Sequence, residues 1–244
     1  ILDEVVVIAD DGWTREEKIE EFRKHYLGES VNGKTSKVMN EEDLILHFDK
    51  TKNQLRASTK APILIKNRSL KYDIIVDLKE FEINYNFVSK NKKRLDVNYV
   101  YYSGSNFFKS LQEQPTVRTI AKRNEAYKTS LLHFMRSLAQ EELRDNGYRV
   151  YMGNKLVPTK RFISVVPVGE GNGVWVRSPE RVNLMDEFGN QSSIESFVDE
   201  FFVDHYGNHS FPEQVRFGGY LGSLRMGDAL PLDFVSKDLE KGKI

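Results

Sequence analysis

The sequence predicts an α+β protein in which two antiparallel, β-rich halves are joined by a long central helix, with a short helix near the N-terminus. Three observations support this fold class. Apolar residues alternate with a period of two through much of residues 43–104, recur at helical spacing through residues 117–147, and then alternate again in short runs separated by Gly and Pro. We divide the chain into a linker or edge strand at 1–12, a β-rich half with the N-terminal helix at 13–114, and the long helix with a second β-rich half at 115–244. One continuous domain is the alternative to two halves.

The first helix is predicted from a capping box and a buried stripe. Thr14 is a good N-cap, and Glu17 three residues later completes the box. Ile19, Phe22 and Tyr26 fall on one face at helical spacing. Gly28 follows and can take the left-handed conformation that ends a helix.

The β-rich half begins at Asp43, where the period changes to two. "DLILHFD" and "QLRAST" form a predicted hairpin around "KTKN", and "PILIKN" follows as a third strand. In the next stretch the alternating apolar residues occupy even positions from Leu70 to Leu78 and odd positions from Phe81 to Phe87. A change of parity would expose one apolar set unless a residue is inserted, so we predict a bulge or break at Lys79–Glu80.

The second half is predicted to open with a single helix from Val117 to Gly147, whose wide apolar face is typical of a buried element. Strands are then predicted at "YRVYM", "RFISVVPV" and "GVWVRS". "IESFVDEFFVDHYGN" is predicted as a longer strand, and "VRFGGYLGSLR" as its partner.

Composition excludes several classes of function. Lys+Arg and Asp+Glu each total 36 among 244 residues, so the formal net charge is zero and the basic excess of a nucleic-acid binder is missing. We interpret the longest basic cluster, Lys90–Arg94, as a solvated hairpin loop. The lack of cysteine excludes disulfides, thiol nucleophiles and cysteine-ligated metals. No apolar run reaches the about 20 residues of a transmembrane helix. The glycine runs lie among strands rather than between a strand and a helix, so we expect no nucleotide loop and no cofactor.

Potential ligating or catalytic side chains cluster in only one stretch, "VDEFFVDHYGNHSF". It supplies Asp199, Asp204 and His205 as candidate catalytic residues, with His209 beyond a Gly-Asn turn. In a strand Asp199 and His205 share a face while Asp204 points away. A metal site needs three or four converging ligands, so we predict none here. The alternative interpretation is an amphipathic edge strand that ends in a turn.

Two further pairs are candidate ligand-binding residues. His133 and Arg136 lie three apart on the narrow polar face of the predicted long helix, where they could meet an anion, although a solvated face is the simpler interpretation. Tyr99 and Tyr101 lie in an aromatic-rich strand and could form a platform for a sugar, although tyrosine is also a favoured core residue of strands.

Short motifs spread over most of the chain resemble a family of uncharacterised envelope proteins that carry a carboxypeptidase-regulatory-like domain ahead of a soluble C-terminal region. "LDEVVV" at Leu2–Val7 is also similar to the segment that follows this domain in SusC-type TonB-dependent receptors. The other motifs are "HYLG" at His25–Gly28, "PILIKNRSLKY" at Pro62–Tyr72, "KTSLLHFMRSL" at Lys128–Leu138 and "LPLDF" at Leu230–Phe234. Lys128–Thr129 stands where the family pattern has glycine.

The resemblance implies an exported protein, periplasmic or associated with the outer membrane, with a small β-sandwich domain upstream and Ile1–Asp10 as the linker leaving it. It carries over no catalytic residue. Two functions remain open: a non-catalytic envelope module that binds a protein or glycan partner, and a hydrolase acting on envelope or dietary polymers through Asp199, Asp204 and His205. A third hypothesis is that "DEVVV" itself contacts TonB.

Overall fold

The structure is a computed structural model that describes residues 11–169 and 173–236. The chain divides into two compact units, Ile1–Glu113 and Gln114–Ile244. The expectation that Ile1–Asp10 forms a linker or edge strand lies outside the described residues. Within the described ranges, no helix combines the length and the apolar character needed to cross a membrane.

The first unit opens with the predicted helix. Helix α1 spans Arg15–Phe22 and continues as a π-helical turn, Arg23–Leu27. Both hydrogen bonds of the capping box form: the Glu17 backbone N–H donates to Thr14 Oγ1 over 3.2 Å, and the Thr14 N–H donates to Glu17 Oε2 over 2.7 Å. Gly28 ends the helix, as expected, but with φ of 95° and ψ of 168° it has a positive φ without the left-handed helical conformation that was predicted. A short helix α2, Val31–Thr35, and a 3₁₀ turn, Glu41–Asp43, lead into the sheet.

Six antiparallel strands form the sheet of the first unit: β1 (Ser36–Val38), β2 (Leu44–Asp49), β3 (Gln54–Thr59), β4 (Ile63–Asn67), β5 (Tyr72–Val88) and β6 (Leu95–Ser110). Strand β5 organises them. Its beginning pairs with β4, its later part pairs with β3 on the same side, and β6 runs along its other side.

The predicted bulge in β5 is confirmed. Leu78 pairs with Gly104 and Glu80 pairs with Ser103, so Lys79 is an extra residue in β5. The insertion turns both apolar sets of the strand to one face: Ile74 and Ile83, on opposite sides of the bulge, are both fully buried.

This inner face packs against α1 through aromatic side chains. Phe22 lies 4.8 Å from Phe81 between ring centroids, and Tyr26 meets Tyr102 edge-on at 5.3 Å. Trp13, just ahead of the helix, packs on Phe48 of β2. One helix and one sheet thus share an aromatic core. The opposite face of the sheet carries exposed apolar side chains, which include Leu64, Ile75 and Phe107.

A buried ion pair fixes the chain just before α1. Lys18 Nζ lies 2.5 Å from Asp11 Oδ2, and both side chains are nearly inaccessible. Asp11 also accepts hydrogen bonds from the backbone N–H groups of Trp13 and Phe48. Burial alone would raise the pKa of the Asp11 carboxyl, but the hydrogen bonds from Lys18 and these N–H groups outweigh it and hold the pKa below its usual value.

The second unit contains two consecutive helices where the sequence predicted one long helix, and that prediction is wrong. Helix α3 spans Val117–Lys128 and α4 spans Leu131–Ala139. The break occurs because Ser130 takes an extended conformation and caps α4, accepting from the His133 N–H while its hydroxyl donates to the Tyr127 carbonyl. The apolar spacing continues across the break, so the pattern alone did not show it.

Eight strands of the second unit form two antiparallel sheets. The five-stranded sheet has the order β14-β12-β11-β7-β8, and the three-stranded sheet has the order β13-β10-β9. Their bounds are β7 (Arg149–Met152), β8 (Lys155–Val157), β9 (Ser164–Pro167), β10 (Val174–Arg177), β11 (Arg181–Met185), β12 (Gln191–Ser196), β13 (Phe201–Val203) and β14 (Val215–Gly218). Short helices α5 (Thr159–Phe162) and α6 (Gly219–Ser223) and a 3₁₀ turn (Met226–Asp228) complete the unit.

The long strand predicted over residues 194–208 is also wrong. Its beginning belongs to β12 in the larger sheet and its middle to β13 in the smaller sheet, with a bend at Val198–Asp199 between them. The predicted partner does pair with β12, through Val215–Gly218. Both sheets contribute to one core around α4, which includes Phe134, Met135, Val176 and Val182.

We expect the α4 core to dominate the stability of the second unit. Phe134 is 0% exposed, so Phe134→Ala should lower the free energy of unfolding by about 3–5 kcal/mol through lost burial and a cavity. Val117→Ala on the exposed face of α3 is the control and should change it by less than about 0.5 kcal/mol. Denaturant unfolding of the two variants measures the difference. Equal unfolding midpoints would contradict the burial of Phe134.

The Asp11–Lys18 pair should make stability depend on acid. Asp11→Asn leaves the buried Lys18 ammonium without an anionic partner, so at pH 7 it should cost about 3–5 kcal/mol. Because the folded pKa of Asp11 is below the unfolded value of 3.8, its contribution is complete above that value and is lost as pH falls through the folded pKa.

Denaturant unfolding of the parent and Asp11→Asn, from pH 7 down to about pH 2, tests this dependence. The stability difference should shrink in acid. Asp73→Asn, which alters an acidic residue on the opposite face of the same sheet, is the control and should show little difference at any pH. A constant difference for Asp11→Asn would contradict the assigned pKa shift.

Candidate functional site

The outer face of the six-stranded sheet is the most developed candidate for a binding surface, and we call it the open face. The strand register places His47, Arg56, Glu82 and Tyr101 side by side across β2, β3, β5 and β6. The next row toward the strand ends contains Gln54, Asn84 and Tyr99, and Asp49 lies at its β2 end. Alternation of side chains puts all of them on the face away from α1.

The Glu82 carboxylate is the centre of a hydrogen-bond network on this face. Glu82 Oε2 accepts from Gln54 Nε2 at 2.8 Å, and Glu82 Oε1 accepts from Asn84 Nδ2 at 3.0 Å and from the Tyr99 hydroxyl at 3.1 Å. Gln54 Nε2 also reaches Asn84 Oδ1 at 3.1 Å. These contacts hold two amides, a carboxylate and a phenol in fixed positions. The Gln54 side chain is buried in this network, with 5% of the residue exposed.

Arg56 and Tyr101 flank the network on either side of Glu82. Arg56 is exposed and Tyr101 is half-buried. Among the described residues neither side chain has an ion pair or a side-chain hydrogen bond. We call Gln54, Arg56, Glu82, Asn84, Tyr99 and Tyr101 together the polar patch. The two tyrosines named by the sequence are therefore brought together with four residues that it did not indicate.

The other end of the open face is apolar and basic. Leu64, Ile75 and Phe107 are neighbours across β4, β5 and β6, and Phe107 is 63% exposed. The next row along carries Lys37, Lys66, Asp73 and Lys109. The face thus changes character on the two sides of the Lys79 bulge.

The three candidate catalytic residues are not brought together. Asp199 lies in the bend before β13, whereas Asp204 and His205 follow its end, and an extended strand separates its two ends. His205 is exposed and packs on Tyr206. Asp204 is occupied by its own turn, where it accepts from the backbone N–H groups of Tyr206 and Asn208 and from the Asn208 side chain.

The same turn occurs a second time in the second unit. "DEFGN" at Asp186–Asn190 and "DHYGN" at Asp204–Asn208 share the pattern D-x-[F/Y]-G-N. Asp186 accepts from the N–H groups of Phe188 and Asn190 and from the Asn190 side chain, as Asp204 does from the matching groups. The repeated pattern is the signal in the sequence that would have identified Asp204 as a turn residue.

His133 is a buried residue of the core, not part of a solvated face, so that interpretation is wrong. Its Nδ1 lies 3.0 Å from the Tyr148 hydroxyl and 3.1 Å from the Lys128 carbonyl oxygen. The ring also packs against Tyr127. Burial lowers the pKa of His133, which favours the neutral imidazole. His209 is similar: it stacks on Phe217, and burial lowers its pKa.

Arg136 binds main-chain oxygen atoms of its own chain rather than presenting to a ligand. Its guanidinium donates to the carbonyls of Leu232, Phe234 (2.7 Å) and Tyr206 (3.2 Å) and to the Tyr127 hydroxyl. The Tyr127 ring also packs against Phe234. The motifs at Lys128–Leu138 and Leu230–Phe234 therefore meet in the structure through Arg136.

Cavities of the second unit lie away from most of these candidates. The larger one, about 780 Å³, is lined by side chains that include Arg144, Arg149 and Leu156. A second depression of about 630 Å³ includes Asp199 beside Arg177 and Glu180. Over the described ranges, no three His, Asp or Glu side chains are grouped so that they could hold a metal ion.

Comparisons with protein-family models, with curated proteins and with solved structures find no match to this chain.

We expect the two repeated turns to be structural. Asp186→Ala and Asp204→Ala each leave two turn N–H groups without their acceptor, so each should lower the free energy of unfolding by about 1–2 kcal/mol. Asp199→Ala, in the same region but outside a turn of this kind, is the control and should change it by less than about 0.5 kcal/mol. Urea unfolding compares the three variants. An Asp204→Ala variant as stable as the parent would contradict the structural role.

Proposed function

We propose that this protein is a non-catalytic binding module of the cell envelope and that the polar patch on its open face binds a glycan. One observation carries the proposal: the Glu82 carboxylate, the Asn84 amide and the Tyr99 phenol are held in one network. Arg56 and Tyr101 flank this network, and within the described ranges their side chains form no hydrogen bond or ion pair. A preorganised set of polar groups on a rigid sheet loses little freedom when a ligand binds.

The chemistry of the patch suits a sugar chain. Sugar hydroxyls both donate and accept, and the patch offers a carboxylate that accepts and a guanidinium that donates. Tyr99 and Tyr101 add aromatic rings whose faces can pack against the C–H groups of a pyranose ring, while the Tyr101 hydroxyl can bind a sugar hydroxyl. The two rows run across four neighbouring strands, so the surface has an extended shape that an unbranched oligosaccharide can follow.

The arrangement of the other candidates supports a binding role over hydrolysis. A hydrolase would require an acid and a base, or a nucleophile and its base, within reach of one substrate bond. Asp204 is held by its turn, Asp199 and His205 lie at opposite ends of β13, and His133 is buried beside Tyr148. None of these pairs has the geometry of a general acid and base.

The envelope location rests on the family resemblance of the motifs. Residues of two of these motifs lie in contact, since Arg136 of "HFMRSL" binds the carbonyls of Leu232 and Phe234 in "LPLDF". That contact supports reading the two motifs as one structural feature. Fractionation of the native cells, with an antibody to the protein, tests the location; recovery in the cytoplasmic fraction alone would contradict it.

A glycan array followed by calorimetric titration of the bound oligosaccharide tests the binding function. Tyr101→Ala and Arg56→Ala should each weaken binding at least about tenfold, because each removes a contact worth about 1.4 kcal/mol or more. Tyr206→Ala is the matched control, since Tyr206 is also an exposed tyrosine but lies in the turn after β13.

Two outcomes would contradict the proposal. The glycan site is wrong if no glycan binds, or if Tyr101→Ala and Arg56→Ala bind as well as the parent. The non-catalytic role is wrong if the bound oligosaccharide is shortened during incubation, which chromatography of the products would detect.

A further inference from the structure

The larger cavity of the second unit has the size of a small-molecule site. Its volume of about 780 Å³ falls within the range of about 300–1,000 Å³ that is typical of such sites. Tyr148 and Val150, which belong to the buried core, contribute to its lining. Leu156 of β8 also lines it and is 62% exposed. Because the lining includes both buried and exposed apolar residues, the cavity leads from solvent toward the core.

Four charged side chains line the same cavity, and they differ in what they already bind. The Asp186 carboxylate is engaged by its own turn, where it accepts from two backbone N–H groups and a side-chain amide. The side chains of Arg144, Arg149 and Glu187 are exposed. Within the described ranges, none of these three forms an ion pair or a hydrogen bond. The cavity therefore presents two guanidinium groups and one carboxylate to a ligand.

Strand pairing places this carboxylate close to one of the guanidinium groups. Arg149 of β7 pairs with Met185 of β11. Two residues further along, Glu187 lies over Gly147, since a methyl group added to Gly147 would be only 2.9 Å from the Cβ atom of Glu187. Alternate residues of a strand share a face, so Glu187 and Arg149 are neighbours on one face, roughly 7 Å apart along the strands.

The same face becomes apolar in the other direction. Tyr151 lies two residues beyond Arg149 and pairs with Leu156 of β8. Both side chains therefore share the face of Arg149. The order of groups along this side of the cavity is a carboxylate, a guanidinium and an apolar side chain.

We propose that this cavity binds a zwitterion with an apolar side chain, either a free amino acid or a short peptide. The Glu187 carboxylate accepts from the ligand ammonium, and the guanidinium groups of Arg149 and Arg144 donate to the ligand carboxylate. The apolar side chain of the ligand packs against Leu156.

Charge complementarity selects this class of ligand. A simple anion would bring its charge beside the Glu187 carboxylate, and a simple cation would meet the guanidinium groups of Arg144 and Arg149. A neutral apolar molecule would cover all three charged groups without pairing them. With Asp186 included, the lining carries two positive and two negative charges, which also suits a ligand without net charge. The proposal does not depend on the glycan function, because the cavity and the polar patch lie in different units.

Blocked ligands test the two charged contacts without altering the protein. Calorimetric titration of the full chain with leucine, dileucine and trileucine identifies the probe that binds most tightly. Its N-acetylated and C-amidated forms should each bind at least about tenfold more weakly, because each lacks one charge of the ligand. Tightest binding of leucine would support a free amino acid, and tightest binding of either peptide would support a peptide.

Variants test which residue binds which end of the ligand. Glu187→Gln should weaken the unmodified probe at least about tenfold, with little further effect on the N-acetylated form, whose ammonium is already missing. Arg149→Met should show the same pattern with the C-amidated form. A purely structural effect would weaken every form alike. Arg181→Met and Glu195→Gln make the same changes in an ion pair elsewhere in the same sheet, so these controls should bind like the parent.

The absence of binding by all three probes at millimolar concentration would overturn the proposal. Blocked forms that bind as tightly as the unmodified probe would show that the ligand charges are not recognised. An N-acetylated form that alone keeps full affinity would make the ligand an organic anion and would overturn the zwitterion. Parent-like affinity in both Glu187→Gln and Arg149→Met would equally contradict the assigned site.

Discussion

The alternation of side chains in β5 is the constraint on which the first unit depends. A regular strand of this length would turn half of its apolar residues toward solvent. The extra residue at Lys79 removes that conflict, and it lies where the neighbour of β5 changes from β4 to β3. The insertion therefore allows β5 to pair with β4 along one part of its length and with β3 along another. It also keeps the inner face apolar for α1 and gives the open face two ends of different chemistry.

Buried or half-buried polar side chains then fix the segments that secondary structure does not fix. Asp11 ties the entry of α1 to β2 through Lys18 and the Phe48 N–H. In the second unit, Asp186 and Asp204 hold two turns, and Arg136 holds the segment around Phe234. In each case a charged group binds backbone N–H or carbonyl groups, and such charge-assisted hydrogen bonds make the local geometry specific as well as stable.

The features predictable from the sequence are those encoded locally. The capping box of Thr14 and Glu17 predicted the start of α1, and the change in the parity of apolar residues along β5 predicted the bulge. The prediction of one long helix was wrong because the spacing of apolar residues does not reveal a helix cap such as Ser130. The polar patch was found only through Tyr99 and Tyr101, since Gln54 and Glu82 join them through strand register, which depends on residues far apart in the chain. The roles of Asp204 and His133 likewise depend on turn geometry and burial.

The contacts of Arg136 determine which amino-acid substitutions this part of the second unit can accept. Three of its four hydrogen-bond partners are main-chain carbonyl oxygens, at Tyr206, Leu232 and Phe234. A main-chain carbonyl oxygen is present whatever side chain its residue carries. This contact therefore does not restrict which side chains can occupy those three positions. The guanidinium is harder to replace, because its Nε, Nη1 and Nη2 atoms each bind a different carbonyl, whereas all three N–H donors of lysine lie on one nitrogen. This contact therefore depends on the identity of one side chain, Arg136, and on three main-chain oxygens that every sequence supplies.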